Sequence, residues 1–259
     1  MKAVVYERYG PPEVLRHTEL HKPEPRPGEV LIAVRATTVT AGDCRMRRAD
    51  PFMVRFFNGL FRPRRIPVLG FEIAGVVEAV GEGVGSFRPG DEVCAFNGFG
   101  FGGYAEFRRL PASGPLKTGV VALKPRNLDF GEAAAVPTGG ITAVGFLRAA
   151  EPLAGRRILI YGASGSVGTY AVQLAKHQGA EVTGVCSTRN LELVRSLGAD
   201  HVIDYTAEDF TRNEKNYDLI VSCNGVHSIF EYRRCLKPGG TFVAAGGGLG
   251  PVFGSMILG

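Results

Sequence analysis

Residues 156–176, RRILIYGASGSVGTYAVQLAK, constrain this chain more than any other stretch. An apolar run (Ile158, Leu159, Ile160, Tyr161) meets a glycine-rich turn, and Val167, Ala171, Leu174 and Ala175 follow at helical spacing. The pattern predicts strand, tight turn and helix. Gly165 and Gly168 let the backbone approach a ligand and let the helix pack closely on the strand. The free N–H groups at the helix start then face an anion such as a pyrophosphate. In the usual G-x-G-x-x-G fingerprint the first glycine is here Ala163, preceded by Gly162, so the weight rests on the context of the motif. Gly162, Ala163, Ser164, Gly165, Ser166, Val167 and Gly168 are the expected cofactor contacts in this turn.

With 259 residues the chain can bury a sizeable core, as one large domain or two modest ones. No apolar run is long enough to cross a bilayer, and the start MKAVVYERYG turns polar within a few residues, as a strand does and a secretory signal does not. The reading is a soluble, cytosolic protein. Its five cysteines (Cys44, Cys94, Cys186, Cys223, Cys235) are scattered and lack any C-x-x-C spacing, which argues against a disulfide framework and a zinc cluster. The net charge of +5 gathers in one loop: seven arginines and a single acid, Asp50, lie between Arg45 and Arg65. Nucleic acid could answer such a patch, but the fold signals of a nucleic-acid binder are missing, and no nucleic-acid partner is expected.

Residues 1–122 read as all-β. Strand-like runs (Ala3 to Tyr6, Glu29 to Val39, Ile73 to Val80, Glu92 to Phe96, Tyr104 to Arg109) alternate with turn-formers such as Pro27-Gly28 and Pro89-Gly90, which predicts a small barrel or sandwich. From residue 123 to 259 the texture changes to alternating strand and helix: a helical stretch from Phe130, the central unit, a strand Glu181 to Cys186 and a helix Asn190 to Leu197. Strands follow at His201 to Ile203, Asp218 to Ser222 and Thr241 to Ala245. This predicts a doubly wound parallel sheet of the α/β class.

KAVVYERYGPPEVL, PRPGEVLIAV, VLGFEIAGVVEAVGEGVGSFRPGDEV, GYAEF, YGASGSVGTYAVQLAKHQGAEV, LGADHVIDY and LKPGGTFVAAGG together carry a resemblance from Met1 to Gly259. The chain resembles the medium-chain dehydrogenase/reductase superfamily, in its zinc-free quinone oxidoreductase (zeta-crystallin-like) branch. That implies a GroES-like β-barrel catalytic domain, 1–122, followed by an NADP-binding Rossmann domain, 123–259. Members of the family run further, so the chain is expected to lack the C-terminal return segment, and a homodimer is expected for a full-length chain.

In zinc-dependent relatives a Cys and a Gly-His-Glu unit hold a catalytic metal. Here the resemblance places Ala41 at the cysteine and Phe71, within Gly70-Phe71-Glu72, at the histidine, so no metal site is expected. Cys44 and His17 are lone candidates that read more simply as structural residues. At the end of the second strand an Asp or Glu would bind the ribose 2′-hydroxyl of NAD. This chain has Ser187-Thr188-Arg189 and no acid until Glu192, which favours NADP(H) with Ser187 and Arg189 on the 2′-phosphate. The resemblance adds Lys176 on that phosphate, with a cation at a helix C-terminus as the alternative, and Tyr205 near the adenosine, with a core or surface tyrosine as the alternative. Asn224, Gly225 and Gly246 follow the fourth and fifth strands and are expected to face the nicotinamide, unless they are ordinary turn residues. Thr142 resembles the family's threonine near the nicotinamide; helix capping is its alternative.

The hydride step needs no Ser/His/Asp arrangement, because the nicotinamide carries the chemistry. The family's Asn-x-x-Asp element reads Thr40-Ala41-Gly42-Asp43, which implies Thr40 and Asp43 as catalytic residues lining the site; a turn cap is the alternative for Asp43. Residues 51–61, PFMVRFFNGLF, hold four phenylalanines inside the arginine-rich loop. They read as a lid, with Phe52 and Phe56 on a lipophilic substrate and the arginines in solvent, or as a membrane-surface dock, or as core packing. The expected activity is NADPH-dependent, zinc-free hydride transfer to a quinone or an α,β-unsaturated carbonyl. Zinc-free alcohol or aldehyde oxidoreduction and a non-catalytic, redox-sensing NADPH-binding module are the alternatives.

Overall fold

The computed structural model describes residues 1–212, 216–224 and 227–244. The chain divides into two compact units, Met1–Thr138 and Gly139–Gly259.

In the first unit β1 (Lys2–Tyr6) and β2 (Leu15–Glu19) form an antiparallel pair. The strands β3 (Glu29–Thr37), β4 (Glu72–Val80), β5 (Glu92–Phe96), β6 (Phe107–Pro111) and β7 (Val120–Leu123) form an antiparallel sheet in the order β6-β3-β4-β5-β7. One set of side chains (Val30, Ile32, Ile73, Val77, Val93, Ala95, Leu110) makes its core. Ala74 and Cys94, on alternate positions of β4 and β5, pack instead with Ala133 and Ala134 of the short helix Phe130–Ala134. That helix belongs to the first unit, although its sequence reads as the start of the α/β half.

The all-β reading of the first unit misses two helices, α1 (Ala41–Arg48) and α2 (Val54–Asn58). The first carries AGDCRMRR, with no apolar stripe, and owes its start to a capping box rather than to periodicity. The helix over Phe130–Ala134 is α3, and α4 (Val136–Leu147) follows it.

The second unit holds β8 (Arg157–Tyr161), α5 (Ser166–His177), β9 (Glu181–Cys186), α6 (Leu191–Ser196), β10 (His201–Asp204), β11 (Tyr217–Ser222), α7 (Ile229–Cys235) and β12 (Leu236–Ala244). All five strands are parallel, in the order β10-β9-β8-β11-β12. The doubly wound sheet of the sequence reading is present. Along β8, Ile158 and Ile160 enter a core with Ala171, Val172 and Ala175 of α5, while Leu159 and Tyr161 enter the opposite core with Tyr232 and Cys235 of α7. Burial on both faces is why this strand is an unbroken apolar run. The strand order reverses between β8 and β11, so their carboxyl ends, Tyr161 and Ser222, border the crevice where such sheets take ligands.

Candidate functional site

The turn after β8 is fixed by its own backbone. Gly162 and Ala163 both donate to the Val185 carbonyl at 3.0 Å, and Gly165 donates to the Gly162 carbonyl at 3.0 Å. Gly162 sits at φ +81, a conformation that costs other residues strain. Gly165 is the N-cap of α5 in extended conformation and, with Ser166, is exposed, so the first N–H groups of a twelve-residue helix open to solvent. A Cβ on Gly168 would collide with the Gly162 carbonyl oxygen and lie 2.7 Å from Ala163 Cα; this glycine permits helix–strand contact. Ala163, which replaces the usual first glycine, is fully buried in the α5-side core, and its methyl leaves the ligand face clear. The cradle fits a pyrophosphate.

One residue that the sequence reading missed ties this turn to the next strand. Asn190 Nδ2 donates to Ser164 Oγ at 3.0 Å and to Ser187 Oγ at 3.3 Å. Each serine therefore accepts and keeps its own O–H to donate outward. No local motif marks Asn190; only the fold brings it between the two hydroxyls. Arg189 is exposed and has no ion pair among the described residues. Asp204, at the end of β10, is a carboxylate near this strand end, but it accepts from Thr188 Oγ1 at 2.6 Å and from Thr206 N and Oγ1 at 2.9 and 2.7 Å. Those hydrogen bonds hold its carboxyl below the ordinary value. Tyr205 is half exposed, with its ring centroid 6.1 Å from that of Tyr161.

Lys176 stands elsewhere, which corrects the sequence reading. It lies ten residues along α5 from Ser166, about 15 Å of helix axis. Its Nζ is 2.8 Å from both oxygens of Asp200 and 3.2 Å from the Ala180 carbonyl. Asp200 also accepts from Val182 N at 2.7 Å. These are the amino ends of β9 and β10, the opposite end of the sheet from Ser187, so Lys176 is a fastener of that edge. Thr142 is inside α4 rather than at its start, half-buried, which removes helix capping as its role. Asn224 is exposed just past β11, its N–H 3.6 Å from where a Gly162 Cβ would be. Beside it, burial pushes the Cys223 thiol up to about 12, so no thiolate forms there at neutral pH. Gly225 and Gly246 lie outside the described residues.

In the first unit, Thr40 and Asp43 meet in the capping box of α1. Thr40 Oγ1 donates to Asp43 Oδ2 at 2.6 Å, Thr40 N to the same oxygen at 2.9 Å, and Asp43 N returns a bond to Thr40 Oγ1 at 3.2 Å. Asp43 Oδ1 accepts from Gly70 N at 2.8 Å. Asp43 thus takes the capping role given as its alternative, and the hydroxyl proton of Thr40 is engaged, so donation to a substrate carbonyl would first break that bond. Next to it, Phe71 packs its ring against Gly42 and those of Phe96 and Phe101, with centroids at 6.2 and 4.0 Å. Alanine at 41 and an apolar ring at 71 give no donor set for zinc, and no group of three or more His, Cys, Asp or Glu that could hold a metal ion occurs among the described residues. Phe52 and Phe56 stand exposed, ring against ring edge at 5.9 Å.

Two family models match the chain: the alcohol dehydrogenase GroES-like domain over residues 26–120 and the zinc-binding dehydrogenase domain over 166–257. The chloroplast envelope quinone oxidoreductase homolog of Arabidopsis thaliana is 37% identical over 246 residues, 89% of this chain and 71% of that protein. The chloroplastic NADPH-dependent alkenal/one oxidoreductase of the same plant is 36% identical over 258 residues, 97% of this chain and 64% of that protein. The quinone oxidoreductase from Coxiella burnetii superposes with a TM-score of 0.82 at 31% identity, covering 94% of this chain and 75% of that one. Two matched domains in the expected order, on an antiparallel sheet followed by a doubly wound one, place this chain in the medium-chain dehydrogenase/reductase superfamily, to whose quinone oxidoreductase branch it belongs.

Proposed function

We propose that the chain is an NADPH-dependent, zinc-free reductase that passes hydride to a quinone or an α,β-unsaturated carbonyl. The observation that carries the cofactor choice is the end of β9. Ser187 and Arg189 offer a hydroxyl and an unpaired guanidinium there, and Asn190 ties Ser187 to Ser164 of the glycine turn. A 2′-phosphate gains charge-assisted hydrogen bonds from that set. Gly162, Ser164, Gly165, Ser166, Val167 and Gly168 would hold the pyrophosphate, with Ala163 supporting them from the core. Tyr205 would pack by the adenosine, and Thr142 and Asn224 would hold the nicotinamide half.

When bound, the reduced nicotinamide supplies the hydride. The side chains of this protein place and shield it. Thr40 and Asp43 hold the start of α1 and the Gly70 turn, and so would act by positioning. Phe52 and Phe56 offer a flat apolar contact for a lipophilic acceptor. The quinone oxidoreductase and alkenal/one oxidoreductase relatives support both acceptor classes. The same reading takes the enzyme as cytosolic and homodimeric.

Parallel titration with NADPH and NADH, followed by nicotinamide fluorescence, tests the cofactor; binding at least tenfold tighter for NADPH is expected. A panel of quinones, enones and aldehydes then tests the reaction. Tight NADPH binding with no turnover would favour the non-catalytic module, and turnover of aldehydes alone the alcohol/aldehyde enzyme.

A further inference from the structure

Between residues 52 and 61 six large apolar side chains stand in solvent: Phe52 (60% exposed), Met53 (63%), Phe56 (65%), Phe57 (42%), Leu60 (44%) and Phe61 (87%). Single exposed hydrophobes need no explanation, but a cluster of this size marks a contact surface. The segment is anchored, and its polar groups are the ones turned inward. Asn58 is fully buried; its Nδ2 donates to Tyr6 Oη at 2.7 Å, its Oδ1 accepts from Ile66 N at 2.9 Å, and its carbonyl accepts from Arg64 N at 2.8 Å. Tyr9 Oη donates to the Gly59 carbonyl at 2.7 Å, and the Arg55 guanidinium lies 4.7 Å over the Tyr9 ring. The apolar side chains are thus held outward by a buried polar anchor.

In the same stretch, residues 45–65, Arg45, Arg48, Arg62, Arg64 and Arg65 are exposed, and none has an ion pair among the described residues; the single acid of the stretch is Asp50. We propose that residues 45–65 dock the protein on an anionic lipid surface, with Met53, Phe57, Leu60 and Phe61 at the headgroup boundary, the arginines on lipid phosphates, and Phe52 and Phe56 left to the acceptor. Charge selects this occupant over a second copy of the chain, because a two-fold contact through the patch would set the same unpaired arginines against one another. The inference does not depend on which acceptor the enzyme reduces.

Flotation of the chain with phosphatidylcholine vesicles, with and without phosphatidylglycerol, tests it. Binding to the anionic vesicles alone is expected, weakening as salt shortens the screening length from about 10 Å at 0.1 M towards about 3 Å at 1 M. Replacing Arg62→Gln with Arg64→Gln should lower partitioning about 25-fold, roughly fivefold per charge. Replacing Leu60→Ser with Phe61→Ser should lower it at low and high salt alike. All four side chains are exposed, and unchanged circular dichroism confirms folding. No binding to anionic vesicles, equal binding to neutral ones, or binding indifferent to both pairs of substitutions overturns the proposal. So does a dimer that Leu60→Ser with Phe61→Ser dissociates while vesicles stay unbound, which would assign the patch to a second copy.

Discussion

The carboxylate of Glu72, on β4, accepts the backbone N–H of Thr138 at 2.8 Å across sixty-six residues of chain. Its other oxygen accepts from Thr38 Oγ1 at 2.7 Å, and the side chain is buried. Strand β4 thereby caps the first turn of α4, a role that a local N-cap residue usually fills. Glu72→Leu would leave the part-buried Thr138 N–H and the part-buried Thr38 hydroxyl without their acceptor, at a cost of about 1 to 3 kcal/mol. Glu72→Gln keeps one acceptor oxygen for the Thr138 N–H, and its NH2 can donate to Thr38 Oγ1, so it should cost less than half as much. Urea unfolding of the two variants checks the order; equal losses would remove the hydrogen bonds as the cause.

Gly165 and Gly168 stand one turn apart and should fail differently. A methyl at 168 meets backbone that cannot yield, so Gly168→Ala should lower stability by about 1 to 3 kcal/mol. At 165 the backbone is extended and the nearest neighbour of a Cβ is the Gly162 carbonyl oxygen, 3.3 Å away. Gly165→Ala should therefore melt like the parent yet bind NADPH about tenfold more weakly, because its methyl stands among the N–H groups of the cradle. Thermal melts and fluorescence titration separate the two.

The second unit was legible because its signals are local and mutually consistent. β8 carries an apolar run buried on both faces, β9 is buried from Val182 to Cys186, and the glycine turn between strand and helix permits few conformations. The helix α1 was not legible, since a capping box on a polar octapeptide leaves no periodicity to read. Lys176 shows a different limit: its residue type suits a phosphate, but its place at the far end of α5 follows only from where the helix starts. Asn190 and Glu72 are long-range in the same sense. Their partners, Ser164 and Thr138, are set by the tertiary fold.

Stability at acid pH should fall in part through Asp218. Burial works against its charge, yet Lys237 Nζ and Arg157 N–H, each at 2.8 Å, hold its carboxyl below the ordinary 3.8. A carboxyl whose folded value lies below its unfolded one stabilises the fold at pH above the unfolded value, and that contribution is lost as pH falls through the folded one. Asp218→Asn should therefore be less stable than the parent by about 1 to 2 kcal/mol at neutral pH. The gap should shrink below pH 3.8. Urea midpoints at neutral and acid pH test the sign; a pH-independent gap would mean that lost packing, not charge, is responsible.

Arg189 and Lys176 are both cations of the second unit, and the geometry divides their roles. Arg189 is unpaired at the carboxyl end of the sheet beside Ser187, whereas Lys176 is engaged with Asp200 at the amino end. Arg189→Leu should raise the NADPH dissociation constant about ten- to hundredfold, the worth of a hydrogen bond to a charged group, and leave that for NADH nearly unchanged. Lys176→Met should leave the ratio of the two constants untouched and cost under about 1 kcal/mol of stability, as a partly exposed ion pair does. Parallel titrations with both nucleotides read the two variants together. A ratio that collapses in Lys176→Met but not in Arg189→Leu would return the 2′-phosphate to Lys176 and require the amino end of β9 to carry the adenosine, against the direction in which a doubly wound sheet presents its ligands.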